Sequence, residues 1–185
     1  MFWFVFSLLG FAALRLHPVY PPVVQGLTWF LGSKARYQAL VWGLSGLSLF
    51  GVAFFYNIPR ASLLWVAQPW MFMVANLAMF LACIGFVAIW HPCNIRRLVS
   101  ALPLWVVLLW ALSHVLANGD TTSCLMFTSF AVIAVVEQVV LPASKHYSVV
   151  AKSNDVAVLF LASILYALLV VMHEYYSGVV VLGML

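Results

Sequence analysis

Two histidines are the residues of this chain most able to do chemistry. His114 lies inside the apolar stretch 109–117, and His173 lies inside the last apolar stretch of the sequence. A histidine in a hydrocarbon-soluble helix must hydrogen-bond or ligate, because the bilayer offers it no partner. Two imidazoles on separate helices of a bundle are also a common arrangement for the axial ligation of haem. His114 and His173 are therefore candidate haem b ligands, against the alternative that each only hydrogen-bonds a neighbouring helix.

The sequence after His114 predicts an abrupt helix end. Asn118, Gly119 and Asp120 follow the apolar stretch directly, and these residue types suit turns because they accept positive φ and supply side-chain acceptors. The next apolar stretch starts at Ser123, so the connection is barely long enough to reverse the chain. We expect the two flanking helices to be antiparallel neighbours.

The composition places these helices in a membrane. Apolar residues make up 66% of the 185 residues, charged residues make up 6%, and the mean hydropathy is +1.13. So little polar surface cannot cover a soluble globule of this size, whereas a span needs about 20 apolar residues. We predict an all-α, polytopic membrane helix bundle that forms a single domain over residues 1–185. Its six predicted helices cover residues 2–16, 37–56, 70–90, 98–117, 123–141 and 156–176.

The basic residues predict the orientation of this bundle. Seven of the eight lie at the end of the first predicted helix or in the connections after the first, third and fifth, and only Arg60 lies elsewhere. Cytoplasmic, matrix or stromal loops carry such an excess, so both termini are predicted on the non-cytoplasmic side. No basic stripe is interleaved with aromatic residues, which argues against a nucleic-acid partner. The seven residues are Arg15, Lys34, Arg36, Arg96, Arg97, Lys145 and Lys152.

Two features of the first helices bear on packing. Residues 17–36 contain three prolines that interrupt the first helix, and their apolar remainder predicts a short segment lying in the membrane interface. Ala39, Gly43 and Gly46 lie at helical spacing on one face of the second helix. Small residues let helix backbones approach closely in lipid, so this face is predicted to pack against a neighbour.

The remaining polar positions favour structural roles. Glu137 lies about one turn from Pro142 and is expected to reach the interface. Asn76 is expected to hydrogen-bond across helices, and Asp155 to cap the start of the last helix. The spacing of the cysteines favours neither a disulfide nor a thiolate metal site. These cysteines are Cys83, Cys93 and Cys124.

The chain resembles the NnrU family. Residues 109–120 read Leu-Trp-Ala-Leu-Ser-His-Val-Leu-Ala-Asn-Gly-Asp, which is similar to the family's LWALxHLLANGD signature. The resemblance implies a small multi-helix membrane protein. Family members include proteins linked to nitrite and nitric oxide reduction, and relatives are haem-dependent ζ-carotene isomerases. Weaker matches occur at Leu9-Gly10 with Arg15, at Pro92 and Asn94, and at Asn154-Asp155 with His173 and Gly178.

This chain departs from the family at two histidines. Ala12 stands where the first helix usually carries one, and Ala101 stands where an Arg-His-Pro motif precedes the fourth helix. Alanine neither ligates iron nor transfers protons, so the departures argue against inherited isomerase activity. From the sequence we favour a non-catalytic accessory subunit of an energy-converting membrane assembly, with no bound cofactor. The alternative is a haem b protein with redox or isomerase-like activity.

The expected surroundings follow from this interpretation. The partners are membrane lipids and other membrane protein subunits. The bacterial inner membrane and the mitochondrial or plastid membranes obey the same orientation rule, so all remain candidates. A small-molecule carrier is disfavoured because the sequence shows no internal repeat.

Overall fold

The structure is a computed structural model that describes residues 1–56, 61–99, 101–140 and 148–177. These residues are helical apart from short connections and one isolated bridge between Leu63 and Asp120. The all-helical architecture predicted from hydropathy is therefore confirmed. The α-helices are α1 (Phe2–Leu16), α2 (Pro21–Leu31), α3 (Lys34–Phe55), α4 (Pro69–Trp90), α5 (Ile95–Leu98), α6 (Leu102–Ala117), α7 (Thr121–Val140) and α8 (Lys152–Ser177), and His17–Val19 form a 3₁₀ turn.

Five of the described segments are long and apolar enough to cross a membrane. They correspond to the first, second, third, fifth and sixth predicted helices, and they confirm a helical membrane bundle. The fourth predicted helix, α6, is shorter than expected, because it begins at Leu102 rather than at Leu98. Ala101 adopts a left-handed conformation with a φ of 52°, and Val99 is extended, so no continuous helix runs through this segment. Pro103 then starts the new helix, where the missing N–H costs nothing.

The chain forms two compact units, residues 1–62 and 63–185. In the first unit, α1 and α3 pack against each other as an antiparallel pair. A Cβ added to Gly51 would lie 2.5 Å from Ser7 Oγ, and one added to Gly10 would lie 3.3 Å from Ser48 Oγ. Each helix thus contributes one serine and one glycine, so the backbones approach closely at both levels.

The predicted packing face of α3 was wrong. Ala39, Gly43 and Gly46 are exposed, and added Cβ atoms on the two glycines would meet nothing within 4 Å. The face that contacts α1 carries Ser48 and Gly51 instead. Small residues occur on both faces of this helix, and hydropathy does not tell which of them meets another helix.

The segment between α1 and α3 forms a short helix, as the prolines predicted. Pro21 and Pro22 occupy its first turn, and Gly32 ends it with a φ of 72°. Glycine tolerates this left-handed conformation because it has no Cβ. Ser33 then caps α3 by accepting a hydrogen bond from the backbone N–H of Arg36.

In the second unit, α4 packs against both α6 and α8, and α6 packs against α7. The start of α4 and the end of α6 lie at the same level, because the backbone N–H of Leu64 donates to the carbonyl of Gly119 at 2.7 Å. The start of α6 follows the end of α4 after the short helix α5. Helix α6 therefore runs antiparallel to α4 and crosses the same layer, although its 16 residues span only about 24 Å.

Glu137 does not reach the interface as expected. It is only 5% exposed and lies on the buried face of α7, in helical register with Phe130 and Ala134. Its rotational position on α7 therefore points it into the protein. The neighbouring Gln138 also has a buried Oε1, for which the described residues provide no hydrogen-bond donor. Pro142, which follows Glu137 by about one turn in the sequence, lies outside the described residues.

Candidate functional site

The connection between α6 and α7 holds the helix ends around His114. Asp120 caps α7, because its Oδ1 accepts the backbone N–H groups of Thr122 and Ser123 at 3.0 and 2.9 Å. Its Oδ2 accepts the hydroxyl of Ser123. On the other side, the Asn118 side-chain amide and backbone N–H both donate to the His114 carbonyl at 2.9 Å. The predicted helix stop is thus confirmed, with both helices capped by side chains.

Gly119 is required for a different reason than the sequence suggested. It does not adopt a positive φ; among the described residues only Gly32 and Ala101 do. Instead, its carbonyl accepts the backbone N–H groups of Leu64 and Trp65. A Cβ on Gly119 would lie 1.8 Å from the Trp65 carbonyl oxygen, a distance that no side chain tolerates. Close approach of a neighbouring segment, rather than turn conformation, therefore demands glycine.

The His114 ring is fixed in position by its own helix and by α7. Its Nδ1 lies 2.8 Å from the Trp110 carbonyl oxygen, which makes Nδ1 the protonated donor. The ring stacks on Phe127 with centroids 4.5 Å apart and an interplanar angle of 26°. Within the part of the chain that the structure describes, Nε2 carries no hydrogen bond. Nε2 is therefore a lone-pair donor held in a fixed direction.

His173 lies near the end of α8 in the same unit and is half-buried. Its helix α8 packs against α4, which also packs against the His114 helix α6. The two sequence-predicted residues thus lie in the same unit, on helices that share α4 as a neighbour. Their ligation of one iron stays a prediction.

A second polar cluster lies at the other end of this unit, and the sequence did not predict its pairing. The Asn94 backbone N–H and side-chain amide donate to the two carboxylate oxygens of Asp155 at 2.7 and 2.8 Å. The same amide group also pairs with both backbone groups of Val150, at 3.0 Å each. Asp155 lies in the first turn of α8, as expected for an acidic residue at a helix start, and it also holds the turn before α5. The only sequence signal was that Asn94 and Asp155 both belong to stretches resembling the family.

The other predicted polar residues have structural partners. Asn76 accepts a hydrogen bond from the Tyr166 hydroxyl at 3.1 Å, which confirms the expected contact between helices. His17 pairs through Nε2 with the Tyr37 hydroxyl, and through Nδ1 with the Leu14 carbonyl at 2.7 Å. His91 hydrogen-bonds the adjacent carbonyl of Pro92 through Nδ1 at 3.2 Å. The cysteines are free thiols.

The fold and this polar layout define a small helical membrane protein in which the hydrogen-bonded imidazole of His114 lies beside a helix stop. The sequence model of the NnrU protein family matches residues 3–181, which is nearly the whole chain. The chain therefore belongs to the NnrU family. No curated protein and no solved structure shows significant similarity to it.

Proposed function

We propose that this NnrU-family protein binds haem b through His114 and His173. The observation that supports the proposal is the hydrogen bond from His114 Nδ1 to the Trp110 carbonyl. Histidines that ligate metals usually donate their other ring N–H to a carbonyl or carboxylate, because this bond fixes the tautomer and aims the free nitrogen. His114 has this arrangement: no residue that the structure describes hydrogen-bonds its Nε2, and His173 lies on α8, which packs against the same helix α4.

The residues around His114 suit such a group. A pair of neutral imidazoles is a common axial ligand set for haem, and the group supplies one-electron redox chemistry when it is bound. The Trp110 carbonyl orients the ring, and Phe127 and Trp110 flank it with apolar surface that limits water access. The cap at Asn118 holds the helix end that carries the ring. Together, these contacts hold His114 Nε2 in position and make its surroundings less polar.

A visible spectrum of the purified protein tests this proposal. We expect a b-type absorption spectrum, and its loss in both His114→Ala and His173→Ala, because each variant removes one proposed ligand. His91→Ala is the matched control and should leave the spectrum unchanged, since the His91 ring hydrogen-bonds its neighbouring carbonyl and lies outside the proposed ligand pair. Colourless wild-type protein, prepared with haem supplied in excess, would refute haem binding.

The second candidate is a non-catalytic accessory subunit of a larger membrane assembly, as the sequence favoured. It is supported by Ala12 and Ala101, which replace two family histidines with side chains that cannot ligate. It is also supported by the structural hydrogen bonds that occupy Asn76, Asn94 and Asp155. This candidate predicts a colourless protein that migrates with other subunits in mild detergent. It further predicts that His173→Ala leaves this association intact.

A further inference from the structure

The short helix α2 exposes its apolar side chains rather than burying them. Its 11 residues include no buried one, and Trp29 and Phe30 are 84% and 78% exposed. At about 16 Å the helix is too short to cross a bilayer. An exposed aromatic pair on such a helix is stable where it enters the lipid interface, because amphipathic helices and tryptophan both partition there.

A cleft separates α2 from the start of α3. Its volume is about 540 Å³, and its wall is mainly apolar, formed by Val24, Thr28, Trp29 and Tyr37. Lys34 also lines it, adjacent to the cap of α3. The side-chain ammonium of Lys34 makes no hydrogen bond or ion pair with any residue that the structure describes. The cleft thus combines apolar walls with one uncompensated cation.

The positive charge of the first unit favours an anionic ligand in the cleft. Residues 1–62 contain four basic residues and no aspartate or glutamate, so the unit has no carboxylate of its own to pair with Lys34 or Arg36. Both are exposed and lie at the end of the unit where α2 is attached. An anionic phospholipid matches both properties, because its phosphate pairs with the cations and its acyl chain covers apolar walls.

We propose that the cleft between α2 and α3 binds one anionic phospholipid, with Lys34 at its phosphate and Trp29 beside its acyl chain. This site is independent of the proposed haem function, since all of its residues lie in the first unit. The lipid fixes α2 in the interface and neutralises Lys34, which has no ion-pair partner among the described residues.

Lipid retention by the full chain tests the proposal. The protein is incubated with equimolar phosphatidylglycerol and phosphatidylcholine in mild detergent, washed, and analysed for bound lipid by native mass spectrometry. We expect about one phosphatidylglycerol per chain, retained in preference to phosphatidylcholine. Lys34→Gln should weaken retention about fivefold, the effect of one cation near an anionic lipid. Arg97→Gln, which removes an exposed cation outside the cleft, should have no effect.

A second variant tests the apolar part of the site without changing any charge. Thr28→Phe places a large side chain in the cleft and should displace the lipid while leaving Lys34 in place. Equal retention of the two lipids by the wild type would overturn the proposal. Undiminished retention of phosphatidylglycerol in both Lys34→Gln and Thr28→Phe would do the same, and would indicate that a general basic surface, rather than the cleft, attracts the lipid.

Discussion

At some positions a single atom determines which residue type the fold accepts, and Gly119 is the clearest case. The missing Cβ allows the segment at Leu64 and Trp65 to donate two backbone hydrogen bonds to the Gly119 carbonyl. These bonds tie the start of α4 to the α6–α7 connection, which in turn carries the cap of the His114 helix. The position of the candidate imidazole therefore depends on a residue that does no chemistry itself.

We expect Gly119→Ala to destabilise the protein strongly. The added Cβ would lie 1.8 Å from the Trp65 carbonyl oxygen, so a backbone segment must move and the adjoining hydrogen bonds must weaken. A loss of about 2–3 kcal/mol in the free energy of unfolding in detergent is the expected size for such overpacking. Gly43→Ala is the control, because its Cβ meets nothing and alanine favours the helix. Equal unfolding temperatures of the two variants would contradict this reading of Gly119.

At the scale of helices, the α1–α3 pair shows how packing in lipid depends on matched small residues. Ser7 of α1 faces Gly51 of α3, and Gly10 of α1 faces Ser48 of α3. At each of these two levels a serine on one helix therefore packs against a glycine on the other. The same register brings Trp3 and Phe55 into stacked contact, with ring centroids 6.5 Å apart. Close backbone approach then provides van der Waals contact, which is the main attraction between helices in a bilayer.

Gly51→Val should therefore separate α1 from α3. Its Cβ alone would lie 2.5 Å from Ser7 Oγ, and the branched methyl groups increase the clash. We expect a destabilisation of about 1–3 kcal/mol in thermal unfolding. Adding Ser7→Gly should restore part of this loss, because it removes the clashing side chain. Gly46→Val on the open face of α3 is the control for β-branching, and a loss equal to that of Gly51→Val would show that helix propensity alone is responsible.

For the whole molecule, the distribution of charge predicts the orientation in the membrane. In the second unit, α4 and α7 each pack against α6 and run antiparallel to it. The hydropathy and charge pattern predicts six crossings with seven of the eight basic residues on one side. All four acidic residues lie in the second unit, so the first unit depends on its surroundings for counter-charges. The bundle is therefore expected to present its basic side to the cytoplasm or to the equivalent compartment.

Cysteine labelling from each side of the membrane tests this orientation. Cys93 is unsuitable as a probe, because it is only 2% exposed. A cysteine introduced at Lys34 or Lys152, both exposed, should react with an impermeant reagent from the cytoplasmic side. Tags at both termini should react only from the opposite side. Labelling of the Lys34→Cys variant together with either terminal tag from one side would show that the predicted topology is wrong.

The sequence by itself determined the class of protein, the approximate positions of the long apolar helices and the stop after His114. These properties follow from local sums of hydropathy and from short capping motifs, which operate within a few residues. The sequence also indicated the shared level of His114 and His173, because both lie about one turn from the same predicted face.

The tertiary structure alone decided which face of each helix meets protein. It moved the packing face of α3 away from Gly43, buried Glu137, paired Asn94 with Asp155, and gave Gly119 its role in close approach. The physical reason is that lipid is as apolar as the protein interior, so an apolar stripe marks the buried side of a soluble helix but not of a membrane helix. Partners distant in sequence then depend on how the helices are rotated and stacked, which no local pattern encodes.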